Sequence, residues 1–339
     1  MLQLSFNTKE HDQQALLLKE CEVLNLDLIY QSDPPGFAYS LPRSVLESYL
    51  SGKAFDHKEV YSREELDDLK ADICDLYRTI IEQQPAKEQL AVMTAGAPGT
   101  GKTTLLKQDL AAQAKQGRVF AYVCPDDVCL KGLMRTYQKE IAERVDQCLM
   151  DGGERKKCRQ EAYNKWRPGS NAATHLILAH LIRQRYGFYF GTTSSAPTTA
   201  KFLEFLKTQG YTIRLLHLTS LDQVRWESIQ ERDKIFVQTT EEDIREKGKL
   251  VPQRIMDTYL KFADEIEFFY RREVKEDAVL AATWKRNSNP AEGLGTLTIV
   301  DRERYEAIKK IHNAACEALG KPELVWEMAV EKSARVIDQ

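Results

Sequence analysis

Gly96-Ala97-Pro98-Gly99-Thr100-Gly101-Lys102-Thr103 has a spacing with a definite chemical meaning. Its three glycines let the backbone turn so that N–H groups point inward at a polyanion, and a helix starting near Lys102 adds its positive N-terminal end. Lys102 supplies a mobile charge for the β- and γ-phosphates of a nucleoside triphosphate, and the Thr103 hydroxyl suits a Mg²⁺ ligand. With Thr104 continuing the motif, Gly96 to Thr104 are the residues expected to hold ATP or GTP with Mg²⁺.

Holding a triphosphate does not say what is done with it. Phosphoryl transfer to a hydroxyl needs a base near the acceptor and cations for the charge that spreads over the γ-phosphoryl oxygens. Asp126 and Asp127 stand just after a second apolar run, where either could take the acceptor's proton or hold Mg²⁺ through water; an Asp pair also suits a helix cap. Arg225, Arg232 and Lys249 are the candidate cations. Trp166-Arg167-Pro168-Gly169-Ser170-Asn171 reads as a polar loop before a helix, with Arg167 suited to a diphosphate or else exposed beside a capping turn. His175 and His180 are too poorly phased on a helix to act as paired ligands and read as packing or surface residues.

The elements that must position these groups follow from periodicity. Leu90-Ala91-Val92-Met93 is a buried parallel strand leading into the glycines, followed by a helix to about Gln116 and a second strand at Arg118 to Cys124. Ser62 with Glu65 forms a capping box ahead of a helix whose apolar face is Leu66, Leu69, Ile73, Leu76 and Ile80. Residues 131–165 read as exposed helices at the sheet's edge. A third strand is expected at Phe188-Tyr189-Phe190 and a fourth at Thr212 to Leu218. A charged helix follows from Leu221 to Arg245, then the Gly248-Lys249-Leu250-Val251-Pro252 step and a helix to about Tyr270. Strands at Ala278 to Trp284 and Gly295 to Val300 and a helix over 301–319 complete the reading. The expected fold is α/β, a P-loop kinase-like parallel sheet flanked by helices: an N-terminal extension over 1–61, a core over 62–270, and a C-terminal extension over 271–339 that helps complete the nucleotide pocket, with Arg286 and Asn287 as candidates there.

The chain has 48 basic and 51 acidic residues, a formal net charge of −3, so no broad positive field is available for nucleic acid or a membrane surface. No apolar stretch approaches the ~18 residues of a membrane span, and the opening residues do not read as a cleaved leader. Seven cysteines, without a close CxxC pair, read as free thiols in a reducing cytoplasm.

These features together resemble the zeta-toxin family of P-loop kinases. The likeness runs from the helix before the glycines to about residue 265: GAPGTGKTT, the Pro125-Asp126-Asp127 turn, Gly191-Thr192-Thr193 after the third strand, Arg232 in QERD, and GKLVP before a helix. The resemblance implies transfer of a γ-phosphoryl group to a sugar hydroxyl of a UDP-activated amino sugar. It implies Asp126 as the base, Arg232 on the phosphates, Lys249 as a second basic residue and Thr192 lining the acceptor site; with Asp127 and Arg167 from the reading above, these are the residues expected toward the acceptor. It also brings a protein antitoxin or inhibitor into the list of candidate partners, alongside the triphosphate and a small-molecule acceptor. Two departures stand out. Phe190 occupies the place of a carboxylate that supports the metal, and Lys249 replaces a commoner arginine, removing a bidentate contact. The first favours an alternative, a nucleotide-gated binding protein with little or no kinase activity.

Overall fold

The strand Leu90–Ala95 (β1) is buried along almost its whole length, as a strand with neighbours on both edges and layers on both faces must be. The computed structural model describes residues 61–147, 152–234, 241–289 and 293–338. In chain order the elements are α1 (Arg63–Glu82), β1, α2 (Lys102–Lys115), β2 (Ala121–Val123), α3 (Lys139–Gln147), α4 (Gly152–Arg183), β3 (Phe188–Phe190), α5 (Thr198–Thr208), β4 (Thr212–Thr219), α6 (Asp222–Arg232), α7 (Glu241–Arg254), β5 (Glu265–Tyr270), β6 (Val279–Arg286), β7 (Gly295–Ile299), α8 (Arg302–Ala318) and β8 (Ala334–Asp338). They form one eight-stranded sheet in the order β2-β3-β1-β4-β5-β6-β7-β8. The first five strands are mutually parallel, which requires the helical crossovers between them. β6 and β7 run antiparallel to their predecessors, and β8 pairs parallel to β7. The α/β expectation is met, and the segment after Tyr270 continues the same sheet.

α1 starts where the capping box predicts: Ser62 Oγ accepts from Glu65 N–H at 3.1 Å and the Glu65 carboxylate accepts from Ser62 N–H at 2.8 Å. Leu69, Ile73, Tyr77 and Ile81, four apart, form its buried stripe. α1, α4, α5 and α8 share the larger core on one face of the sheet, while α2 packs Leu105 and Leu106 on the other against Val92, Tyr189, Leu216 and Leu218.

Several boundaries differ from the sequence reading. Trp166 to Asn171 is not a loop: α4 runs unbroken for 32 residues through Pro168. An interior proline costs about 3 kcal/mol, but the helix is held on both sides of it. The Trp166 indole is buried against Tyr61 and donates to Glu140 at 2.6 Å, and the buried Ser170 hydroxyl donates to the Pro125 carbonyl. Nor are residues 131–165 merely exposed, since Tyr137 and Tyr163 are buried on the way into α4. The Gly248 to Pro252 step lies inside α7, and α6 ends at Arg232. The stretch taken as the end of a helix at Tyr270 is instead β5, whose Ile266, Phe268 and Tyr270 alternate inward. β8 was not anticipated. Cys124, Cys129 and Cys316 are free thiols, but Cys158 is disulfide-bonded; cross-linking depends on spatial proximity, which an odd cysteine count does not reveal. No described helix is long and apolar enough to cross a membrane.

A partly buried ionic network fastens α2 to the sheet. Arg214 on β4 donates to both Asp109 oxygens at 2.8 and 3.0 Å and to both Glu267 oxygens at 3.0 and 2.9 Å, and the Tyr189 hydroxyl donates to Asp109 at 2.5 Å. Removing the cation would leave two carboxylates facing each other out of water, at a cost of roughly 3 kcal/mol. Arg214→Met should lower the urea-unfolding free energy by about that amount; an unchanged denaturation midpoint would show the network to be neutral.

Candidate active site

Between β1 and α2 the chain turns through Gly96, Gly99 and Gly101, with φ of 152°, 82° and 96°. A Cβ at Gly99 would lie 2.3 Å from the Arg225 carbonyl oxygen, so the loop and α6 approach as closely as they do only because position 99 is bare. Gly101 caps α2 in a left-handed conformation with no side chain covering the first turn, which presents its amides to a ligand. The Ala97 carbonyl accepts from Lys102 Nζ at 2.8 Å and from the Thr100 hydroxyl at 3.0 Å. Burial pushes Lys102 down to about 7; Asp126 and Cys124 oppose this shift, and Arg232 and Arg225 add to it. Thr103 and Thr104 lie exposed on the first turn of α2.

The loop after β3 braces the glycine loop from the side. The Thr94 hydroxyl donates to the Thr192 carbonyl at 2.7 Å and accepts from Thr192 N–H at 2.9 Å, Gly96 N–H donates to the Thr193 carbonyl at 3.1 Å, and the Ser194 hydroxyl donates to the Thr94 carbonyl at 2.8 Å. Tyr259 and Arg254 hold the far side through the Ser194 and Ser195 carbonyls. The Thr192 hydroxyl accepts from Ser194 N–H at 3.2 Å and so helps shape this turn. Phe190 is buried edge-on between Phe202 and His175.

The two aspartates part company. Asp126 faces Arg167, whose Nη2 lies 2.8 Å from Oδ1, and the Tyr163 hydroxyl donates to the same oxygen at 3.4 Å. Asp127 accepts from Lys107 at 2.6 Å, Lys131 at 3.1 Å and the Tyr122 hydroxyl at 2.7 Å. Burial would raise its pKa, but these donors hold it below the usual carboxylate range, and they occupy the oxygens that the acceptor-binding expectation needed. Neither side chain caps the short helix Pro125–Asp127, which starts from Cys124 without a side-chain cap, so the capping reading fails.

Of the candidate cations, Arg225 is 3% exposed and committed to the Ile244 carbonyl and Asp222. Arg232 is more open, with its Nε 2.7 Å from Asp233, and its charge is felt at Lys102 and Tyr163. Lys249 is exposed on α7 beside Gly248, which packs on the Arg225 guanidinium. Arg286 donates to the Ala263 and Leu260 carbonyls, and Asn287 accepts from the Thr296 hydroxyl; both serve the turns around β6. His180 is buried edge-on against Tyr77, and burial pushes both it and His175 down to about 4.

The sequence reading missed Arg271. It follows β5, donates to the Gly99 carbonyl at 2.6 Å and to the Ser228 hydroxyl, and lies against Gly101. The signal was a basic residue at the carboxyl end of a strand, where ligands bind in such sheets, and it was lost with β5. Among the described residues no group of three or more His, Cys, Asp or Glu could cage a metal.

The zeta toxin family model matches residues 75–288, more than half of the chain. Solved structures resemble it at lower identity. A chain of the PezAT chromosomal toxin–antitoxin system of Streptococcus pneumoniae is 14% identical over 65% of this chain and 81% of that one, with a TM-score of 0.46. AvrRxo1-ORF1:AvrRxo1-ORF2 with sulphate ions is 13% identical over 90% and 91%, also at 0.46, and the same figures hold for AvrRxo1-ORF1:-ORF2 with ATP. No curated protein matches the chain.

Two outcomes follow from the loop. With Lys102 near 7, a triphosphate that stabilises the ammonium raises its pKa, so binding takes up a proton and affinity falls by up to about tenfold per pH unit above 7. Calorimetry of ATP binding in buffers of differing ionisation enthalpy measures the uptake, with Lys102→Met subtracting the nucleotide's own titration; equal uptake in both proteins refutes the assignment. Gly99→Ala should abolish ATP binding while Gly117→Ala, where nothing lies near the added Cβ, should not.

Proposed function

The chain belongs to the zeta toxin family, and from that premise we propose that it is a small-molecule kinase, passing the γ-phosphoryl group of ATP or GTP to a hydroxyl of a nucleotide sugar of the UDP-amino-sugar type. The observation that supports this reading is the glycine loop itself, with Lys102 bonded to its Ala97 carbonyl and feeling the opposed charges of Asp126 and Arg232. In this reading Gly96 to Thr104 hold the phosphates, Lys102 and Arg232 neutralise the transferring group, and Asp126 takes the acceptor's proton. Arg167, Thr192 and Lys249 are assigned to the acceptor side; the donors around Asp127 leave it the weakest of that set.

Mg²⁺ fits the residues present. Thr103 offers an exposed hydroxyl on the turn next to Lys102, and a hard cation that keeps waters and binds phosphate oxygens needs only one or two protein ligands. When bound, the ion neutralises charge on the β- and γ-oxygens. Phe190 offers no ligand, so Thr103 is the protein's contribution here. The same buried Phe190 favours a second reading, a nucleotide-gated binding protein that transfers phosphate slowly or not at all. A neutralising protein partner is compatible with either.

A screen of cell metabolites with γ-labelled ATP separates the two. Under the kinase reading a labelled product appears that requires Lys102, and Asp126→Ala cuts transfer by about 10²-fold or more while leaving ATP affinity within about twofold. Wild-type transfer in Asp126→Ala removes that residue as the base. No labelled product with any acceptor, together with ATP-dependent capture of a protein, gives the second reading instead.

A further inference from the structure

We propose that Arg167 is a latch on Asp126, closed in the absence of acceptor and opened by negative charge that the acceptor itself carries. The inference rests on the kinase reading and adds to it a rule for which molecules can be phosphorylated and why water is not.

The latch is built into α4. Arg167 Nη2 lies 2.8 Å from Asp126 Oδ1, and its Nη1 donates to Asn171 Oδ1 at 2.8 Å and to the Ser170 hydroxyl at 3.4 Å. Ser170 in turn is fully buried and donates to the Pro125 carbonyl, so the helix carrying Arg167 is tied to the turn carrying Asp126. The buried Trp166 on the other side fixes the helix's register. Yet the pair itself is open to solvent, with 29% of the Arg167 and 43% of the Asp126 side chain exposed, within reach of a ligand.

While the guanidinium holds Asp126 Oδ1, that oxygen is engaged in a charge-assisted bond and is not presented to an incoming hydroxyl. Burial would lower the Arg167 pKa, and the charges of Asp126, Tyr163, Cys129 and Cys124 together reverse this. Water, which is uncharged, competes for the guanidinium only weakly. A phosphate or diphosphate on the acceptor competes well, because the guanidinium's planar donor fork suits both kinds of anion. Drawing Arg167 onto the acceptor releases Asp126 beside the hydroxyl that the same acceptor presents. His175, next along α4 toward Phe190, is kept neutral by burial with Arg167 adding to the effect, so it does not substitute as the cation.

In the open state the hydroxyl oxygen forms the new bond to the γ-phosphorus, its proton passes to Asp126, and the bond from γ-phosphorus to the bridging oxygen breaks, the nucleoside diphosphate leaving with the electron pair. Hydrolysis is the same step with water as the nucleophile and inorganic phosphate as product. A closed latch suppresses it.

The test is acceptor-free phosphate release from ATP and Mg²⁺. Arg167→Gln should raise this hydrolysis by roughly tenfold, Arg167→Lys should raise it less, and Arg167→Gln with Asp126→Asn should return it to the wild-type level or below. A purely structural role for Arg167 predicts lower hydrolysis in every variant. Should Arg167→Gln fail to show a cooperative thermal transition, Asn171→Ala, which removes one anchor of the guanidinium and leaves the charge, takes its place with the same expected direction. Hydrolysis at or below the wild-type rate in the folded variant overturns the latch. If Asp126→Asn abolishes acceptor transfer while Arg167→Gln leaves hydrolysis flat, the latch alone is wrong; if the wild-type protein yields no labelled product with any acceptor, the kinase reading itself has failed.

Discussion

A loop that turns its amides toward a ligand must be held in place by its other groups, and here they are its carbonyls and its bare α-carbons. The Ala97 carbonyl takes Lys102 and Thr100, the Gly99 carbonyl takes Arg271, and the Gly99 α-carbon lies against the backbone of Arg225. Each of these partners belongs to an element that has a second duty. Arg271 ends β5, Arg225 begins the turn of α6 that leads to Arg232, and the Thr192 to Ser195 turn ends β3. The phosphate cradle therefore ties together the ends of β1, β3 and β5 and one helix, and much of the rest of the fold serves to keep them there.

The parts of the fold legible in the sequence are those with local causes. β1, the glycine loop and α2 were readable because an apolar run, positive-φ glycines and a helix start follow one another without a gap. The start of α1 was readable because its cap is made within four residues. What escaped depends on distant partners. Pro168 should break a helix, but Trp166 and Ser170 anchor α4 on either side of it through contacts to Glu140 and Pro125. β5 was taken for helix because Glu265 to Tyr270 is short and aromatic, and only pairing with β4 and β6 makes it a strand. Arg271 was missed with it.

Within the site the same division holds. The Pro125-Asp126-Asp127 turn was visible, but not which aspartate faces the cleft, since that is decided by Lys107, Lys131 and Tyr122 claiming Asp127. The Arg167 assignment anticipated a loop, and the residue lies on a helix, so its side chain swings from a backbone that is held in place. Phe190 is a plain core residue, packed on Phe202 and His175, so the missing carboxylate left no vacancy that a nearby side chain fills.

The region shared with the family ends at residue 288, between β6 and β7 of a continuous sheet. β7 pairs along β6 from Gly295 to Ile299, and Trp284 is wholly buried beneath that half of the molecule. A chain cut at the family boundary would leave β6 as a naked edge with unpaired amides and carbonyls, an open template for association with other chains. In this protein the shared region is therefore not a portable module: it depends on β7, α8 and β8 to cover its edge.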